Sequence, residues 1–271
     1  MKDVAFGQYY PVKSFVHKMD ARIKILLSIA FIVGVFLIKQ YCFYGFLAGL
    51  GFVIITAIFA KVPFFKLLKS VKGIMFFIVF SCVLQLFFNR EGNVVFEWEF
   101  ITITDKGLYT AAFITIRILL VIMGTSLLTL TTTPVELSDG IESLLLPLKW
   151  IKFPVHEFAL IMSIALRFIP TLMDETDRII KAQKARGADF ESGNVFKRAK
   201  ALLPILIPLL ISSFRRADEL GDAMDARCYS GSKNRTKYKK MKLTFRDFLG
   251  FIFTAGFIVG IIYLNSFPLV V

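Results

Sequence analysis

Apolar positions gather into five dense runs at residues 23–38, 43–60, 74–88, 108–130 and 248–267. A helix needs about 20 such residues to cross about 30 Å of hydrocarbon, so each run predicts a membrane span. The first and third are short and read as tilted or re-entrant pieces. Lys39-Gln-Tyr-Cys42 predicts a tight hairpin between the first two runs. Between the third and fourth, residues 94–104 alternate apolar and polar and are rich in β-branched and aromatic side chains. That pattern predicts a short extended segment or hairpin. Thr104-Asp105 then predicts a cap for a helix starting near Gly107.

The stretch 131–246, between the fourth and fifth runs, is too long for an ordinary loop and too periodic for disorder. Thr131-Thr-Thr-Pro134 breaks the fourth run, and residues 134–146 predict a short amphipathic helix with Leu137, Ile141, Leu144 and Leu145 on one side. Pro147 and Pro154 bracket a turn. In 155–186, apolar residues from Phe158 to Ile179 recur every three or four positions, predicting a long helix. A second long helix is predicted over 195–227. Each begins greasy and turns charged, the first after Met173 and the second after Phe214. Pro170 predicts a bend in the first, Gly187 a left-handed C-terminal end, and Pro204 and Pro208 a kink or a split in the second. The chain thus divides into an N-terminal membrane part (1–133), a domain of about three helices (134–245) and a final span (246–271).

Composition fixes the class. Of 271 residues, 56% are hydrophobic and 30 are phenylalanine, with a mean hydropathy of +0.67. This predicts an all-α polytopic membrane protein. The first 22 residues are polar, so the first span itself is expected to direct insertion. Net charge is +13, and its placement sets orientation. Lys2, Lys13, Lys18, Arg22 and Lys24 outnumber acids in the N-terminal arm, residues 61–72 hold four lysines and no acid, and 131–246 is basic. Only 89–106 is acidic, with Glu91, Glu97, Glu99 and Asp105. Positive loops stay inside, which places the N-terminus in the cytoplasm and the C-terminus outside. The lysine-rich run 233–242 reads as a stop signal and lipid anchor, not as a nucleic-acid site.

One pattern occurs twice, 41 positions apart. Ala182-Gln-Lys-Ala185-Arg186-Gly187 recurs as Ala223-Met-Asp-Ala226-Arg227-Cys228, each time at the polar end of a long helix. Ala182 and Ala185 share a helix face, as do Ala223 and Ala226, and small side chains let another backbone approach. The arginine's rigid fork of donors suits a carboxylate or a row of carbonyl oxygens. A cation at a helix C-terminus also gains about 0.3–1 kcal/mol from the dipole, which alone explains one copy. Two copies on two similarly graded helices favour function. Cys228 in place of Gly187 predicts a different helix ending at the second copy.

Other chemistry is thin. No Gly-x-x-x-x-Gly-Lys-Ser/Thr phosphate loop is present, so no ATP site is expected in this chain. Cys42, Cys82 and Cys228 show no disulfide or zinc spacing, and His17 and His156 are poor candidates for a metal pair. His17 is expected to bond locally with the Asp20 turn. Asp174, Glu175 and Asp177 read as a solvated face. Arg117, inside the fourth run, has no acid within the spans to pair with and leaves a secondary transporter open as a rival. A membrane scaffold without transport is a third reading.

The motifs Ser14-x-x-His17-x-x-Asp20-x-Arg22-x-Lys24, Thr131-Thr-Thr-Pro134, Arg167-Phe-Ile-Pro170, Ala182-Gln-x-Ala-Arg-Gly187 and Ala223-Met-x-Ala-Arg-x-Tyr229 occur in the order found in one family. Over nearly its whole length the chain resembles the transmembrane T subunit of energy-coupling factor transporters, ABC-type importers of vitamins and metal ions. The resemblance implies an L-shaped helical protein in a prokaryotic plasma membrane, with a membrane part and cytoplasmic coupling helices. It implies that Arg186 and Arg227, with Ala185, Gly187, Ala226 and Cys228 beside them, dock two ABC-type ATPase subunits that carry ATP and magnesium. Ala182 and Ala223 would form the supporting small faces, and Pro170, Pro204 and Pro208 would be hinges. A separate substrate-binding membrane subunit would sit on the greasy halves of the long helices. The chain itself would bind no cofactor and catalyse nothing.

Overall fold

The structure, a computed structural model, describes residues 9–39, 42–88, 93–98, 101–151, 154–188, 190, 194–229, 231 and 243–266. The basic run 233–242 lies outside the described residues, as do residues 1–8 and the hairpin positions Gln40 and Tyr41. The described chain forms helices α1 (Ala21–Leu37), α2 (Phe43–Ala60), α3 (Phe64–Lys72) and α4 (Met75–Phe88), then strands β1 (Val94–Trp98) and β2 (Ile101–Thr104). Helices α5 (Asp105–Thr131), α6 (Pro134–Leu145), α7 (Val155–Ala185), α8 (Val195–Ala226) and α9 (Phe245–Leu264) follow, with a 3-10 turn at Leu146–Ile151. The protein is an all-α membrane protein, with one antiparallel β-hairpin where the alternating pattern predicts it. Two compact units emerge: Met1–Leu144 with Lys240–Val271, and Leu145–Lys239.

In the first unit α1 packs between α5 and α9, and α2 packs on both of those. Three helices, α2, α5 and α9, are individually long and apolar enough to cross a bilayer. At 17 residues α1 is slightly shorter, as its short apolar run predicts. α3 and α4 are long and apolar enough only together and are bent by 66° at a short break, the form of a broken span or a re-entrant loop. The lysines of 61–72 mark a basic connector, but the segment is more than that. It contains α3, which buries Leu67 completely and leaves Lys66, Lys69 and Lys72 outside.

An aromatic ladder holds the spans together. Phe31 of α1 stacks on Phe52 of α2 at 5.0 Å, and Phe52 stacks on Phe253 of α9 at 4.8 Å. Offset ring pairs of this kind add about 0.5–1.5 kcal/mol beyond burial. Close approach also needs a small residue on α5. A Cβ on Gly124 would sit 2.2 Å from a Phe31 ring carbon, so only glycine lets α1 lie against α5 there. Small residues perform this task throughout membrane helix packing.

Polar contacts fasten the helix ends. At one end of the unit, the Asp247 carboxylate accepts the Thr244 N–H at 2.7 Å in a capping box on α9 and the Asp20 N–H at 2.9 Å. Asp20 in turn accepts the Arg22 N–H and caps α1. Thr133 and Glu136 form a reciprocal capping box around Pro134, which starts α6. At the other end, Asn265 Nδ2 donates to the Leu37 carbonyl at 2.8 Å and Arg117 Nη2 donates to the Ile38 carbonyl at 2.5 Å. Arg117 also lies 5.6 Å over the Phe46 ring. With no acid within the spans to pair with, this arginine bonds a backbone carbonyl instead, one freed where α1 ends. Thr104 caps α5 through Gly107, as expected.

The second unit is built on α7 and α8. Glu175 of α7 accepts from Ser212 Oγ at 2.5 Å and pairs with Arg216 at 2.5 Å. Further along α7, Gln183 Nε2 donates to the Pro204 carbonyl at 3.4 Å. Later positions on α7 meet earlier positions on α8, so the two helices pass each other antiparallel. Both run through their prolines, Pro170 in α7 and Pro204 and Pro208 in α8, as continuous helices. Of the two outcomes expected for the second helix, a kink or a split, the split does not occur. Pro208 has no N–H for the Pro204 carbonyl, and Gln183 supplies the missing donor from the neighbouring helix.

Candidate functional site: two arginine-bearing helix ends

Both copies of the repeated pattern end their helices through the same hydrogen bonds. At the end of α7, Ala188 N–H donates to the Gln183 carbonyl at 3.0 Å and Gly187 N–H to the Lys184 carbonyl at 3.0 Å. At the end of α8, Tyr229 N–H donates to the Met224 carbonyl at 3.1 Å and Cys228 N–H to the Asp225 carbonyl at 2.9 Å. This crossed pair defines the Schellman ending, with one left-handed residue just past the last helical turn. Gly187 takes that place with φ +86° and Cys228 with φ +57°. The expected difference in ending is therefore corrected: Cys228 adopts the glycine conformation, at a steric cost of about 1–2 kcal/mol.

The ending fixes where each arginine sits. Arg186 and Arg227 both follow the last residue of their helix, one position before the left-handed turn. Both are exposed, as are Ala182, Ala185 and Gly187 at the first end and Ala223, Ala226 and Cys228 at the second. Each end thus offers a guanidinium, a small-residue face and a turned-back chain. The last carbonyls carry partial negative charge and favour the cation. The two ends are alike in backbone geometry but lie at opposite ends of an antiparallel pair. Their hydrophobic-to-charged gradients run the same way in sequence and opposite ways in space.

A polar link joins the two helices away from these ends. Glu175 belongs to the supposed solvated face, yet it joins α7 to α8 through Ser212 and Arg216. Its carboxyl is held below the usual range, first by the Ser212 hydroxyl and then by the Arg216 guanidinium. The potential signal was Glu175 against Arg216, 41 positions apart, the same spacing as the two arginine ends.

The N-terminal motif has a separate task in the first unit. His17 Nε2 lies 2.9 Å from the Tyr10 carbonyl, which only accepts, so this nitrogen carries the proton. Ser14 Oγ, 2.7 Å away, then donates to Nδ1 and accepts the His17 N–H. Its partners are Ser14 and Tyr10, not the Asp20 turn. Burial lowers the His17 pKa, partly opposed by the Tyr10 carbonyl. Lys24, 6% exposed, donates to the carbonyls of His17 at 3.2 Å and Thr131 at 2.9 Å. The Ser-x-x-His and Thr-Thr-Thr-Pro motifs are therefore two halves of one fastening. Among the described residues no group of histidine, cysteine and acidic side chains could hold a metal ion.

Comparison with known proteins agrees along nearly the whole chain. Residues 12–238 match the family described as cobalt transport protein, CbiQ. The energy-coupling factor transporter transmembrane protein EcfT of Clostridium kluyveri is 51% identical over 250 residues, covering 92% of each chain. Its namesake from Ruminiclostridium cellulolyticum is 48% identical over 98% of each chain. The Bacillus subtilis protein of the same name is 47% identical over 91% of this chain and 92% of its own.

Proposed function

We propose a role for this chain from one premise: it belongs to the CbiQ/EcfT family and is the transmembrane component of an energy-coupling factor transporter. Within that transporter, Arg186 and Arg227 dock two ABC-type ATPase subunits, one at each helix end. The observation that carries this reading is the duplicated ending. Two exposed arginines occupy the same position on the same hydrogen-bonded turn, one of them at the expense of a left-handed cysteine. Guanidinium forks fit the carboxylates and carbonyls of a partner's groove. ATP and magnesium belong to those partners.

The exposed apolar residues of α8, including Leu206, Ile207, Leu210, Ile211 and Phe214, suit a membrane partner. We assign them to one substrate-binding subunit that selects a vitamin or similar micronutrient. ATP binding draws the two ATPases together. The ends of α7 and α8 follow, the prolines permit bending, and the substrate-binding subunit reorients to face inward. Positive loops and family membership favour a bacterial plasma membrane, with the N-terminus inside and the C-terminus outside. The shared fastening of α1, α5 and α9 supports that topology, since Asp20, Thr131 and Asp247 gather at one end. Arg117, the residue a secondary transporter would keep ready for substrate, is engaged with a backbone carbonyl.

Co-expression with the two ATPases tests the docking role. The double charge reversal Arg186→Glu/Arg227→Glu is expected to abolish co-purification while the chain still inserts into the membrane. Retention of both ATPases by the double variant would refute it.

A further inference from the structure

A cavity of about 380 Å³ opens inside the first unit, ringed by α1, α2, α5 and α9. Its volume falls in the range of small-molecule sites, about 300–1,000 Å³. It extends along α1 from Lys24 to Phe31, about 10 Å of helix at 1.5 Å per residue. The walls are apolar in effect. Lys24 lines it, but its ammonium is committed to the His17 and Thr131 carbonyls. The Thr56 and Thr254 hydroxyls are turned back onto carbonyls of their own helices. The N-terminal segment with Phe15, Val16 and Met19 closes one end, and the Phe31–Phe52 ring pair closes the other.

The cavity opens among exposed apolar side chains, which face lipid if the helices cross a bilayer. The exposed lining residues are Phe59 on α2, Leu249 and Phe253 on α9, and Phe15. Water does not fill a site without polar partners, and an empty one forfeits dispersion contacts along its whole wall. A bilayer tail is the apolar material at hand. Charge at the mouth adds a preference, because the Arg246 guanidinium lies 5.9 Å over the Phe15 ring.

We propose that this cavity binds one acyl chain of an anionic phospholipid, with the headgroup phosphate held by Arg246. The lipid would wedge between α2 and α9, beside the aromatic ladder that joins them. This requires that the helices cross a bilayer and is independent of ATPase docking.

The full chain carries the test, with Trp98 and Trp150 changed to Phe and Phe253→Trp as the reporter at the mouth. It is reconstituted in phosphatidylcholine vesicles doped with brominated phosphatidylglycerol. Quenching of the reporter is expected to exceed random mixing by about fivefold in apparent affinity, the equivalent of about 1 kcal/mol for one arginine at an anionic surface. Adding Thr56→Phe, which fills the cavity, or Arg246→Gln, which removes the charge, is expected to return quenching to the random level. Arg246→Gln removes no side chain that lines the cavity and decides the matter if Thr56→Phe fails to fold. Quenching at the random level in the reporter chain, or an excess that survives Arg246→Gln, would overturn the proposal.

Discussion

The Lys24 ammonium donates to the Thr131 carbonyl at 2.9 Å, joining the first turn of α1 to the last residue of α5. A second bond, to the His17 carbonyl, ties the N-terminal segment to the same point. Lys24→Met keeps the apolar stem and removes both donors. Each orphaned buried carbonyl costs about 1–3 kcal/mol. Thermal unfolding of the purified chain in detergent should show a clear fall in midpoint. An unchanged midpoint would mean that the ammonium only decorates the helix ends.

His17 predicts a pH dependence. Burial sets its folded pKa below its ordinary value of 6.5, so protonation favours the unfolded chain. Its contribution is complete above pH 6.5 and is lost as pH falls through the folded pKa. His17→Gln abolishes that titration. The wild-type unfolding midpoint should therefore exceed that of the variant at pH 7.5, and the gap should narrow by pH 5. A constant gap would exclude the histidine as the titrating group.

The two helix endings respond oppositely to glycine. Cys228→Gly relieves a left-handed non-glycine residue and should stabilise its turn by about 1 kcal/mol. Gly187→Ala imposes the same strain and should cost about as much. Both effects are local, so amide hydrogen exchange at residues 227–229 and 186–188 is the measurement. Slower exchange in the first variant and faster exchange in the second are expected.

Glu175 and Arg216 form a pair exposed enough that global stability will register it weakly. On the proposed coupling role, transport should register it better. Glu175→Arg or Arg216→Glu alone should reduce ATP-driven uptake by the assembled transporter, and the double swap should restore a substantial part. Equal loss in the single and double variants would show that the pair does not act through mutual attraction.

Much of the fold was legible because greasy helices announce themselves. The runs at 43–60 and 108–130 anticipate α2 and α5, and the alternation in 94–104 anticipates the β-hairpin. α3 was missed because its lysines at every third or so position read as charge for orientation, hiding the buried Leu67. The repeated arginines were legible because they recur. Their supports were not, since they depend on which helices meet. Pro208 does reveal from sequence that the Pro204 carbonyl lacks its usual donor. Only the antiparallel pairing shows that Gln183 replaces it. Cys228 misled because glycine preference is statistical, while the Schellman bonds of the surrounding turn set the backbone.

The Glu175–Arg216 pair has a further consequence. Arg186 lies as far along α7 from Glu175 as Arg227 lies along α8 from Arg216, 11 residues in each case. Each arm is about 16 Å of helix. The salt bridge therefore divides the pair into two arms of equal length. On the docking proposed above, equal pushes at the two ends would deliver equal torques about the bridge, and a stroke at one end alone would leave the pair out of trim.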